Sequence, residues 1–98
     1  MLVKLIKSYR DVVAVCDSEL LGKRFEEDSF QIHVKENFYN GEEMSEAQTI
    51  DFLRKMRMED ATFNIIGENS VNAALQAGII TEDSVGEIQG IKFALVLL

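Results

Sequence analysis

The sequence predicts an α+β domain: a two-layer sandwich, with a mainly antiparallel sheet and two helices packed on one of its faces. Three stretches carry that prediction. Residues 61–80, ATFNIIGENSVNAALQAGII, read as strand, tight turn, helix and stop. Residues 12–16, VVAVC, are an unbroken apolar run of strand length. Residues 45–57 open on a capping pattern and continue with an apolar stripe at helical spacing.

Leu2 to Tyr9 predicts a strand, with Val3 and Leu5 on one side and Leu2 and Ile6 on the other. Arg10-Asp11 then serves as a hairpin turn, although it lacks the Gly or Asn that favours the tightest hairpins. VVAVC follows as a central strand buried on both faces. Asp17 or Ser18 caps one helical turn through Leu20 and Leu21, which Gly22 closes. Phe25 precedes an acidic loop, Glu26-Glu27-Asp28. Phe30, Ile32 and Val34 alternate with Gln31, His33 and Lys35, the period of a half-buried strand. Phe38-Tyr39-Asn40-Gly41 reads as a turn carrying two aromatics.

The first long helix is expected over Ser45 to Arg57. Ser45 and Gln48 match the capping box, and Ala47, Ile50, Phe52, Leu53 and Met56 form its apolar stripe. Glutamates near its start and Arg54, Lys55 and Arg57 near its end suit the helix dipole. In the organising stretch, Phe63, Ile65 and Ile66 suit a buried strand and Gly67 a sharp turn. The second helix, Glu68 to Ala77, shows Val71, Ala74 and Leu75 on one face and Gly78 as its stop. Val85 to Gln89 and Ile91 to Leu98 are strands broken at Gly90.

The chain has 98 residues, 47% hydrophobic and 28% charged, which suits a single folded domain over residues 1–98. One cysteine allows no internal disulfide and fits a reducing compartment. The N-terminal run MLVKLIKSYR is interrupted by lysines, so it lacks the apolar core of a signal peptide. The longest apolar stretch, Phe93 to Leu98, falls far short of the ~20 residues that cross a bilayer. A cytoplasmic protein with no membrane partner is expected. Net charge is −7, and residues 36–98, with four basic and eleven acidic side chains, carry all of it. That disfavours general affinity for nucleic-acid backbones. The first 35 residues are balanced, six against six, and leave room for a local basic face.

Each candidate for chemistry has a plainer reading beside it. Cys16, the single thiol, ends an apolar strand and reads as a core residue rather than a nucleophile. His33, the single histidine, lies on the polar face of its strand. One Cys and one His do not supply the four ligands of a structural zinc site, and no cofactor or metal is expected. Gly67-Glu68 at a helix start resembles an anion-binding turn. It matches neither the dinucleotide fingerprint nor the P-loop, and a strand-to-helix turn is favoured. Lys4, Lys7, Lys23 and Arg24 are the best candidates to meet phosphate, with Tyr39 as a stacking face. Against this stands a solvated strand face with aromatics packed inward.

The runs Val13 to Lys23 with Phe25, Phe38-Tyr39-Asn40-Gly41-Glu42, Asn64-Ile65-Ile66-Gly67-Glu68 and Gly78-Ile79-Ile80 span nearly the whole chain. Together they resemble a small archaeal family known as domain of unknown function 424. The resemblance implies a single α+β domain in two layers and a loose link to translation and RNA. It implies no established activity, cofactor or catalytic residue. The apolar finish, Ala94 to Leu98, departs from the more polar end expected of that family. The function expected is a non-enzymatic binding module acting through contacts with a protein partner. The alternative is an accessory factor of RNA or the ribosome, and an enzyme comes third.

Overall fold

A computed structural model describes residues 1–97, and Leu98, the last residue of the expected C-terminal strand, lies outside them. Strands β1 (Leu2–Ile6) and β2 (Val12–Cys16) open the chain. After a 3-10 turn at Ser18–Leu20 come β3 (Arg24–Glu27), β4 (Phe30–His33), the one-turn helix α1 (Glu36–Tyr39) and β5 (Glu42–Glu43). Helix α2 (Glu46–Met58), strand β6 (Thr62–Ile66) and helix α3 (Glu68–Ala77) follow. A second 3-10 turn, Glu82–Ser84, leads to β7 (Gly86–Ile88) and β8 (Ile91–Val96).

Six strands form one sheet in the order β5-β1-β2-β6-β8-β7. β2 and β6 run parallel at its centre, and every other pair is antiparallel. A parallel pair needs a long crossover. Residues 17–61 supply it. The centre explains why VVAVC is apolar throughout: Val13 and Val15 face α2 and α3, while Ala14 and Cys16 face the other way.

The larger core lies between the sheet and the two long helices, where Leu53, Phe63, Ile65 and Val71 are almost fully buried. The α+β class, the antiparallel majority and the two helices on one face therefore hold. So does the capping box, with the Gln48 N–H donating to Ser45 Oγ at 3.1 Å and the Ser45 N–H to Gln48 Oε1 at 2.9 Å. Ala47 leaves the expected stripe and is exposed, and Thr49 is buried in its stead. The Thr49 hydroxyl donates to the Ser45 carbonyl at 2.8 Å, which satisfies it inside the core.

The reverse face carries a further layer built by the β3–β4 hairpin and α1. It packs on Ala14, Cys16 and Ile66 with Val34, Tyr39 and Leu20. Here several local expectations are corrected. Glu26 and Glu27 belong to strand β3, opposite Gln31 and Phe30, rather than to a loop. Long-range bonds decide this: the Glu26 N–H donates to Gln89 Oε1 at 3.1 Å and the Gln89 N–H to Glu27 Oε1 at 2.9 Å. Phe38 and Tyr39 close a helical turn, since that puts both rings on the reverse core. β1 stops at Ile6 instead of Tyr9, and residues 7–11 form a five-residue loop, because Ile6 pairs with Val12. The β7–β8 hairpin turns at Gln89 (φ 50°) and Gly90 (φ 78°), the two positive φ values of a tight hairpin turn.

Candidate functional site

A groove runs along the reverse face between β4 and the sheet. Its polar end has a volume of about 420 Å³ and is lined by His33, Lys35, Asn37, Phe38, Tyr39 and Asn64. Its apolar end, about 210 Å³, shares Tyr39 and Asn64 and adds Phe30, Ile32, Phe93 and Leu95 among its walls. The sheet register produces this floor. Lys4, Ala14, Asn64 and Leu95 stand in one cross-strand row, and Cys16, Ile66 and Phe93 in the next. Phe30 leans from the hairpin onto Phe93 with ring centroids 5.4 Å apart, yet remains 47% exposed. Leu95 is 53% exposed.

The polar end is cationic at its rim. The Lys4 ammonium donates to the Asn37 carbonyl at 2.8 Å, so a strand residue reaches across to α1. Arg24 pairs with His33 across the hairpin, and Lys35 follows two residues later. Desolvation and the nearby Arg24 and Lys35 cations hold the His33 imidazole below its usual range. No carboxylate lines this end among the described residues.

The structure sorts the sequence-predicted residues into three groups. Lys4 and Arg24 stand beside the groove, Lys4 bonded to the Asn37 carbonyl and Arg24 paired with His33, and Lys23, exposed, precedes Arg24 in the chain. Lys7 does not: it sits in the β1–β2 loop with its ammonium 3.6 Å from the Asp11 carboxylate. The stacking face drawn for Tyr39 is corrected. Its ring is 7% exposed, packed edge-on to Phe38 at 5.0 Å, and burial pushes its phenol up to about 12. Cys16 is fully buried, and burial, then the neighbouring Asp17 charge, pushes its thiol up to about 11. His33 and Lys35 were not among the expected binding residues. Their signal was the polar phase of the β4 alternation, which gives a face but not its neighbours.

The turn at Gly67-Glu68 holds an anion that the chain itself supplies. Asp17 does not cap its own 3-10 turn. Its buried carboxylate lies at the start of α3, where Oδ1 accepts from the Ser70 N–H (2.8 Å) and hydroxyl (2.7 Å) and Oδ2 from the Asn69 N–H (3.1 Å). An inherent anion site at a helix N-terminus is thereby filled from within. Gly67 adopts φ 115°, and a Cβ there would stand 2.3 Å from the Asp17 carboxyl carbon. Among the described residues, no group of three or more His, Cys, Asp and Glu side chains is placed to hold a metal ion. Nor is any described helix long and apolar enough to cross a membrane.

No curated protein matches the chain. A crystal structure of an uncharacterized conserved protein from Methanopyrus kandleri is similar, with a TM-score of 0.87 and 26% identity over 97% of this chain and 88% of that one. The overall fold is thus shared with a protein that has 26% of its residues in common. The family described as protein of unknown function (DUF424) matches residues 6–98, nearly the entire sheet and both long helices, and the chain belongs to that family.

Proposed function

We propose that the chain is a non-enzymatic, cytosolic binding module that works through protein contacts made in the reverse-face groove. One observation carries this reading. Phe30 and Leu95, each about half exposed, flank an apolar hollow that meets the polar end of the groove at Asn64. An aromatic anchor beside a hollow, ringed by polar groups, is the usual anatomy of a protein interface. The two best nucleophile and base candidates do not support an enzyme. Cys16 is buried and protonated, while His33 stands on the groove rim.

The test immobilises the wild-type chain and Phe30→Asp and challenges both with native lysate, with and without nuclease. Proteins retained after nuclease and absent with Phe30→Asp support the reading. Proteins captured equally by both chains would move the interface away from the groove. Complete release by nuclease would favour the second reading, an RNA- or ribosome-associated factor. That reading rests on Lys4, Arg24 and Lys35 gathered around an end of the groove that no carboxylate lines.

A further inference from the structure

The outer edge of β8 is open where the chain is least charged. Backbone groups along a strand alternate in direction. The Lys92 carbonyl accepts from the Gly67 N–H at 2.8 Å, so residue 92 and its even-numbered successors face β6. The odd-numbered residues face outward. β7 takes up the first two of these through the pairs Ile88↔Ile91 and Gly86↔Phe93. Its line then leaves the sheet, because Ser84, next in register, belongs to the 3-10 turn Glu82–Ser84. The N–H and C=O of Leu95 therefore point off the sheet with no backbone partner among the described residues.

Natural edges are guarded by charge, proline or a bulge. Residues 93–97, FALVL, carry neither charge nor proline. The edge also has a hollow on each side. One, about 330 Å³, joins Ile79, Ile80 and Val96 to the polar Arg57, Thr81 and Ser84, and the other is the apolar end of the groove at Phe30 and Phe93. Side chains of an added strand would alternate between these hollows, so an apolar strand fits the groove side outright and the aliphatic part of the other. β8 is such a strand, with Phe93 and Leu95 on one side and Ala94 and Val96 on the other.

We propose that a second copy of this chain occupies this edge, the two β8 strands pairing antiparallel through residues 95–97 about a two-fold axis, with Leu95 of one copy facing Leu97 of the other. The arrangement is self-complementary, as a two-fold interface must be. The paired segments themselves are uncharged, while each copy carries a net charge of −7. Repulsion between the copies is therefore long-range and screened by salt, and the dimer strengthens as ionic strength rises. An interface held by the cationic rim would weaken instead.

Analytical ultracentrifugation of the full chain over a concentration series, at low and high salt, tests the proposal. The expected result is a mass that doubles with concentration, at lower concentration in high salt. Hydrogen exchange at the Leu95 amide should slow at least tenfold between dilute and concentrated wild-type protein. Leu95→Lys with Leu97→Lys, at side chains 53% and 72% exposed, should keep the circular dichroism of the wild type and stay monomeric. The exchange measurement needs no variant, so misfolding of the double mutant would leave the test intact. A wild-type chain monomeric at every concentration and both salts would overturn the proposal, as would a dimer undiminished in the lysine variant. If a monomeric wild type instead protects Leu95 on adding a peptide of residues 91–97, the edge takes a foreign strand and the second-copy assignment falls.

Discussion

At Asp17 a single carboxylate joins two parts of the chain fifty residues apart. It satisfies the first free N–H groups of α3 and closes on Gly67, whose missing Cβ makes room for it. Asp17→Ala should cost about 1–3 kcal/mol in urea denaturation, since buried donors lose their acceptor. Gly67→Ala should also destabilise, through backbone strain and the clash with the carboxylate. Only the clash depends on Asp17, so Gly67→Ala should cost less in the Asp17→Ala background than in the wild type. Equal costs would show that the clash is relieved freely. Cys16 makes a second residue-scale prediction. Folded, it keeps its proton to about pH 11, whereas its ordinary value is 9.0. The unfolded chain then binds fewer protons, so stability is whole below pH 9 and falls as pH rises toward 11. Cys16→Ala should flatten the urea-midpoint decline across that window. A thiol reagent should label native Cys16 slowly and the unfolded chain at once, and rapid native labelling would contradict its burial.

Among the elements, α2 and α3 behave as a pair. The Arg54 guanidinium donates to the Gln76 carbonyl at 3.1 Å, and that of Arg57 to the Gly78 carbonyl. The basic end of α2 therefore serves the carbonyl end of α3, where sequence pattern alone assigns it to the dipole of its own helix. Leu53 lies midway along α2 with no exposed surface. Leu53→Ala should cost about 2–5 kcal/mol, the range for a truncated core leucine. A loss below about 1 kcal/mol in urea denaturation would show that this helix face collapses onto the sheet without strain.

Charge is a property of the whole molecule, and it bears on the RNA reading. The net −7 opposes a phosphate backbone overall, whereas no carboxylate lines the groove's polar end among the described residues. Lys23→Glu with Arg24→Glu should weaken any RNA binding and lower its salt slope by about 1 for each phosphate no longer neutralised. Both side chains are exposed, so melting temperature should barely move. Titration of labelled cellular RNA at several salt concentrations checks this. Wild-type binding that the double variant matches would place the RNA-binding surface elsewhere, and absence of wild-type binding would dismiss RNA as the partner.

What the sequence by itself determined are the features with local causes. The capping box of α2, the glycine stop of α3, the hairpin at Gly90 and the two-faced burial of β2 follow from residue type and period. What only the tertiary structure decided are the features whose causes lie far off in the chain. Strand β3 is acidic and loop-like by composition, yet Gln89 and Ile32 draw it into a hairpin. Asp17 reads as a cap for the turn beside it, but α3 offers a buried set of donors and wins. The groove has the same origin. Its walls come from β4, α1, β6 and β8, and pairing register, a relation between strands, sets Lys4, Asn64 and Leu95 in one row. A period of two along one strand says which side chains share a face, and only the pairing of strands says which of them are neighbours.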